Sequence, residues 1–179
     1  LSVINGGDNN IIDSSSNYSI IGCGKNNNIT LTKSGFIGNG LNCSLNKSIY
    51  SNIGNGLNCS LNNSYYSNIG NGDGNNIIDS QGCIISCGKG NKIEDTLNGF
   101  IGSGLDCSMN NSNNSIILGG SKNNITNSNA SGICSGKNNI IDSNSNDSFI
   151  ISGKHNKIEN FSTESIILNG SNNNINNIS

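Results

Sequence analysis

Apolar side chains return along this chain in a fixed register. SIIGCGKNNNI from Ser19, GFIGNGLNCSL from Gly35, SNIGNGLNCSL from Ser51 and SNIGNGDGNNI from Ser67 are versions of one unit. It begins near Ser2 and recurs from Cys83, Gly99, Ser115, Ser131, Ser148 and Ser165, which makes eleven units in all. The step is sixteen residues, lengthened to seventeen after Ser2, Ser131 and Ser148. With each unit numbered from zero, position 2 is Ile from Ile4 to Ile167 and position 5 is Gly from Gly7 to Gly170. Position 10 is Ile apart from Leu45, Leu61 and Met109, and position 8 is Asn apart from Cys43, Cys59 and Cys107.

The two apolar positions lie eight residues apart, half the period, so each unit reads as two similar halves, S-x-I-x-x-G-x-x and N-x-I-x-x-S-x-x. In an extended chain alternate residues share a face, which sets positions 0 and 2, then 8 and 10, on one side. A β-branched residue at the centre of each half suits a short strand. Gly and Asn between the halves suit turns, since both tolerate positive φ. No 3.6-residue spacing persists, and Gly, Asn and Ser are poor helix formers. A strict repeat of this length marks a solenoid. The expected fold is all-β: a β-solenoid (parallel β-helix or β-roll) of eleven coils, two short strands per coil, forming a single repeat domain over 1–179. Identical residues then stack about 4.8 Å apart. Asn at position 8 is expected to build an internal amide ladder, and the extra residue of the longer coils to enter the turn after position 12.

Position 1 faces away from the Ile columns, yet it is apolar at Val3, Ile20, Phe36, Ile84, Phe100, Ile116, Phe149 and Ile166. Asn52 and Asn68 interrupt the series, and Tyr50 and Tyr66, two residues earlier, are expected to put their rings on the same outward face. A long apolar stripe marks a contact surface. No spare segment of the chain is available to cover it, so self-association is expected, with Val3, Ile20, Phe36, Tyr50, Tyr66, Ile84, Phe100, Ile116, Phe149 and Ile166 as its residues.

Composition alone, rich in Asn, Ser and Gly with 4% aromatics and no Pro or Trp, would suggest a disordered tract; the register outweighs it. A net charge of −2 without a basic stripe gives no reason to expect nucleic acid. No apolar run approaches eighteen residues, so membrane insertion is not expected. The chain opens inside a repeat, so no signal peptide is expected. Neither end carries a polar cap, which points to a longer protein or to end-to-end stacking, and in both cases to a fibre.

Runs such as SIIGCGKNNNI and SIILGGSKNNI resemble the S-x-x-I-G repeats of trimeric autotransporter adhesin heads and related extracellular β-roll fibres. The resemblance covers the whole chain at the level of pattern. It implies trimers presenting an adhesive surface. The period here is longer than in those heads, and Asn stands where they carry Ala.

Chemistry is sparse. His155 is the only histidine and has no fixed acid beside it. The acids Asp13, Asp79, Glu94, Asp142 and Glu159 fall near the turn after the second strand, without the clustering that sugar cleavage needs. The stretch GNGDGNN at 70–76 looks like a calcium-binding repeat, as NGGDNN at 5–10 does in part, but other coils lack the Asp. No catalytic residue, cofactor or metal is expected. Seven cysteines leave at least one unpaired within the chain. Cys43 and Cys59 share a position in adjacent coils, at a spacing that fits either a disulfide or a thiol stack. N-x-S/T triplets offer candidate glycosylation sites at Asn17, Asn46, Asn62, Asn110 and Asn160. The expected role is a non-enzymatic subunit of an extracellular filament, appendage or surface fibre, on a cell or virion surface, partnered by itself and conceivably by glycans or a host surface. The alternative is a surface adhesin or glycan-binding fibre module. An ice-binding or carbohydrate-active solenoid ranks lower.

Overall fold

A computed structural model describes residues 1–177; the last two residues of the expected domain lie outside it. The described chain is all-β and forms two eleven-stranded parallel sheets, one from the first strand of every coil and one from the second. Pairing joins each strand to its copy one coil along. Ile37 pairs with Ile53 in the first sheet and Leu45 with Leu61 in the second.

The core is the pair of columns at positions 2 and 10. From Ile21 to Ile158 these side chains are at most 1% exposed. Burial on both sides of a coil only two strands thick leaves room for one apolar layer, so the corners must be closed by other means. Three polar columns do this, at positions 0, 8 and 13, and almost all of their residues are buried.

Along the position 13 column the hydroxyls from Ser16 to Ser128 each accept the backbone N–H of their copy in the next coil, as Ser48 Oγ does from Ser64 at 3.2 Å. The same hydroxyl donates to the carbonyl two residues back, Asn46, at 2.9 Å. At position 8 the Asn27 Oδ1 accepts from Cys43 N at 3.0 Å, while its Nδ2 donates to Gly40 O at 2.7 Å. The amide ladder expected from the sequence is therefore built, and it satisfies corner N–H groups that no strand can pair.

In the eight coils with Asn at position 8, two reasons at once require Gly at position 5. Gly24 has φ of +110°, and a Cβ there would meet Gly40 O at 2.0 Å. The left-handed conformation accompanies Asn at position 8: Gly7, Gly24, Gly72, Gly88, Gly120, Gly136, Gly153 and Gly170 adopt it, whereas Gly40, Gly56 and Gly104, in the three Cys coils, do not. Position 0 shows volume compensation. Gly35 and Gly99 replace the usual Ser where the preceding corner carries Thr32 or Thr96, whose methyl groups would stand 2.6 and 2.7 Å from an added Cβ.

The seventeen-residue coils keep register. Ile4 pairs with Ile21, and Ile133 with Ile150, as if nothing had been inserted. The additional residue enters after the second strand, where Ser143 and Asn144, and again Asn160 and Phe161, take consecutive left-handed conformations.

Candidate functional site

The outer faces of the two sheets differ. The second sheet presents mostly Ser, Asn and Thr, with the ion pairs Lys92–Glu94 at 2.7 Å and Lys157–Asp142 at 3.7 Å. Lys157 also contacts Glu159; that hydrogen bond, reinforced by one from Asn174, holds the Glu159 carboxyl below its ordinary range.

The first sheet carries the expected stripe. Val3, Ile20, Phe36, Ile84 and Ile166 are exposed, and Phe100, Ile116 and Phe149 are half-buried. Each Phe lies over a glycine. Phe36 and Phe100 approach Gly38 and Gly102 of their own coils, and Phe149 approaches Gly132 of the preceding coil. Tyr50 and Tyr66 do not join the strand face. They occupy a left-handed corner at φ +54° and stack on each other with ring centroids 5.3 Å apart. Strand alternation does not carry through such a corner, so the two-residue offset that placed them on the stripe fails. In their coils the strand position holds Asn52 and Asn68, joined by an amide hydrogen bond of 2.8 Å.

The sequence reading missed a second outward column, at position 3. It is Gly22, Gly38, Gly54, Gly70, Ser86 and Gly102 in coils two to seven, then Leu118, Cys134, Ile151 and Leu168. Leu118, Ile151 and Leu168 are 47%, 39% and 72% exposed. Together with Ile116, Phe149 and Ile166 they make a two-column apolar patch over the last four coils. The signal was present in the sequence as I-L-G-G, I-I-S-G and I-L-N-G replacing I-G-x-G.

All seven cysteines are free. Cys43 and Cys59 lie stacked in the interior beside Gly56, whose missing Cβ would stand 3.3 and 2.9 Å from their sulfurs. They titrate as one unit. The Cys59 side chain hydrogen-bonds to Cys43, holding Cys43 to about 7. Cys59 is pushed up, first by retaining the shared proton and then by burial. Burial also raises Cys83 and Cys107. Cys23 is exposed and donates to Asn39 Oδ1; Cys87 and Cys134 are half-buried.

The recurring N-x-S triplets have a structural origin. At Asn46, Asn62 and Asn110 the Asn is the outward position 11, and Ser48, Ser64 and Ser112 are the buried corner hydroxyls. His155 stands at a left-handed corner, φ +56°. A shallow depression of about 190 Å3 lies among Asn63, Tyr65, Asp79, Ser80, Gln81 and Leu97. Among the described residues no group of three or more His, Cys, Asp or Glu could hold a metal ion.

No family model and no curated protein matches the chain. Among solved structures it is similar to the polySia-specific acetyltransferase NeuO, at 15% identity over 95% of this chain and 79% of that one, TM-score 0.24. It is similar to the UDP-N-acetylglucosamine O-acyltransferase LpxA of Moraxella catarrhalis RH4, at 13% identity over 93% and 65%, TM-score 0.23. A protein of Desulfovibrio desulfuricans G20 described as an acetyltransferase matches at 9% identity over 96% and 70%, TM-score 0.21.

These are acyl- or acetyltransferases by description, and none is an adhesin or a fibre subunit. On that finding two expectations are corrected. One is the filament, appendage or surface-fibre subunit, with its adhesin alternative. The other is the absence of enzymatic activity. The physical reason is that a stacked isoleucine column specifies a coil, and a coil specifies neither an end-to-end fibre nor a lack of chemistry. The resemblance to autotransporter heads likewise reaches only as far as the parallel solenoid. At these identities and TM-scores the three structures assign no activity to this chain.

Proposed function

We propose that the chain forms a discrete homo-oligomer through the outer face of its first sheet. The observation that carries this reading is the two-column apolar patch of Ile116, Leu118, Phe149, Ile151, Ile166 and Leu168, continuous with Ile84 and Phe100 along the same face. Positions 1 and 3 hold no charged residue in any coil. Charges return at the edge of the strand, where Lys25 pairs with Asp8 at 3.2 Å and Lys89 with Asp73 at 3.1 Å. An apolar centre with a charged rim is the arrangement of protein interfaces. A second copy of the chain is the partner whose size fits. The six coils from Ile84 to Leu168 offer, at about 4.8 Å per coil and a width of about 15 Å, on the order of 400 Å2, and Val3, Ile20 and Phe36 extend the same face toward the roughly 800 Å2 per partner of a stable interface.

Sedimentation equilibrium tests it. The wild-type chain is expected to associate at micromolar concentration, and Leu118→Ser with Ile151→Ser to sediment as a monomer with an unchanged far-ultraviolet β signal. A wild-type chain that stays monomeric at about 100 μM, or a variant that associates as before, overturns the reading.

A further inference from the structure

In the position 8 column each Asn accepts the backbone N–H of the next coil, as in Asn91 N to Asn75 Oδ1 at 3.0 Å and Cys107 N to Asn91 Oδ1 at 3.1 Å. Cys43 and Cys59 interrupt this ladder in consecutive coils. No other two cysteines of the chain occupy the same slot in neighbouring coils. Their thiols instead donate to backbone carbonyls, Cys43 to Gly56 O at 3.2 Å and Cys59 to Gly72 O at 3.5 Å. The thiolate is the form that binds a metal. Beside the sulfurs is the side-chain-free flank of Gly56, which in this coil has left the left-handed conformation seen in the Asn coils.

We propose that Cys43 and Cys59 form an internal two-coordinate site for a soft monovalent cation of the Cu(I) or Ag(I) type. Thiolates select such ions. The spacing chooses between an ion and a disulfide. The ladders on either side, Leu41 with Leu57 and Ser44 with Ser60, hold the two backbones in parallel register, one coil apart, a separation of about 4.8 Å. A disulfide needs an S–S bond of about 2.05 Å and Cβ atoms about 3.5–4.5 Å apart, with the side chains turned toward each other. In-register side chains point the same way. A cation midway between sulfurs one coil apart would stand about 2.4 Å from each, close to the about 2.3 Å of a zinc–thiolate bond. Binding breaks two S–H bonds, forms two metal–sulfur bonds and releases two protons to solvent, with no change of oxidation state.

The test uses a chain in which the accessible thiols are removed by Cys23→Ser, Cys87→Ser and Cys134→Ser, titrated with Ag(I) in chloride-free buffer and read by native mass spectrometry and thermal melting. One silver ion per chain is expected to remain after gel filtration and to raise the melting temperature. Adding Cys43→Asn and Cys59→Asn, which installs the residue most coils carry in this slot, should abolish retention while the chain stays folded by circular dichroism. Cys107→Asn, in the same slot without a thiol neighbour, should retain the ion; Cys59→Ser alone serves if the double variant fails to fold. The proposal is overturned if no ion is retained, or if retention survives loss of Cys43 and Cys59. Rapid loss of two hydrogens at this pair on mild oxidation, without metal, would also overturn it, since the sulfurs would then approach to bonding distance unaided.

Discussion

The first sheet is two structures joined end to end. In coils two to eight its strands run six residues, as in Phe36–Leu41 and Phe100–Leu105; in coils nine to eleven they shrink to two, Gly132–Ile133, Phe149–Ile150 and Ile166–Ile167. The position after the core isoleucine separates them. A Cβ added to Gly38, Gly54 or Gly70 would meet the carbonyl oxygen of the next coil at 2.3 Å, and a small residue there, glycine or Ser86, lets neighbouring backbones stay together beyond the core residue. Leu118, Cys134, Ile151 and Leu168 demand more space, and pairing there lapses until the isolated bridges Ser121–Lys137, Lys137–Lys154 and Lys154–Ser171. One end of the face thus has longer ladders, and the other has exposed apolar side chains. Coil eight shows that the neighbour decides. It pairs over five residues with the Gly102 coil, and over two with the Cys134 coil.

The core ignores this division, which gives the largest expected effect. Ile93→Ala and Ile141→Ala should each lose about 3 kcal/mol by urea unfolding, within the usual range for a buried isoleucine. A loss confined to one of them would mean that the ends unfold independently. Gly54→Leu should cost about 2–3 kcal/mol, because its Cβ has backbone in front of it, whereas Ile151→Gly should cost less than half of that; equal losses would erase the contrast. Gly99→Ser should cost about 1–2 kcal/mol through the Thr96 methyl. Thr96→Ser in the same chain should restore most of it, and a failure to rescue would show that the two positions do not share their volume. The smallest effect concerns charge. The folded Glu159 carboxyl titrates below its unfolded value, so its contribution is complete above the ordinary carboxylate pKa of about 4.3 and disappears as pH falls through the lower folded value. Lys157→Met should flatten that acid limb by about a few tenths of a kcal/mol, as befits a half-buried pair at the surface, and an unaltered pH profile would count against the ion pair.

The coil, its two strands and the inward columns were legible in the sequence because they repeat without exception: Ile at position 2, Gly at position 5 and apolar residues at position 10 leave no other reading. The site was only partly legible. Position 1 stood out because Phe and Ile there break the polar alternation. Position 3 did not, since glycine in six-residue strands looks like turn material, and its replacement by Leu118 and Ile151 is visible only once the coils are overlaid on a backbone. Tyr50 and Tyr66 were misplaced because a face rule for extended chain was carried across a residue at φ +54°. The distinction between a stacked and a bonded Cys43–Cys59 pair also needed the backbone, because sequence spacing gives adjacency but no side-chain direction.

The seventeenth residue of the longer coils enters each time at one corner and leaves both sheets in step. That corner is therefore where the chain accepts added length at least cost. Peptides grafted between the second strand of one coil and the first of the next would emerge in a row at about 4.8 Å intervals, which makes the solenoid a ruler for spacing attached groups.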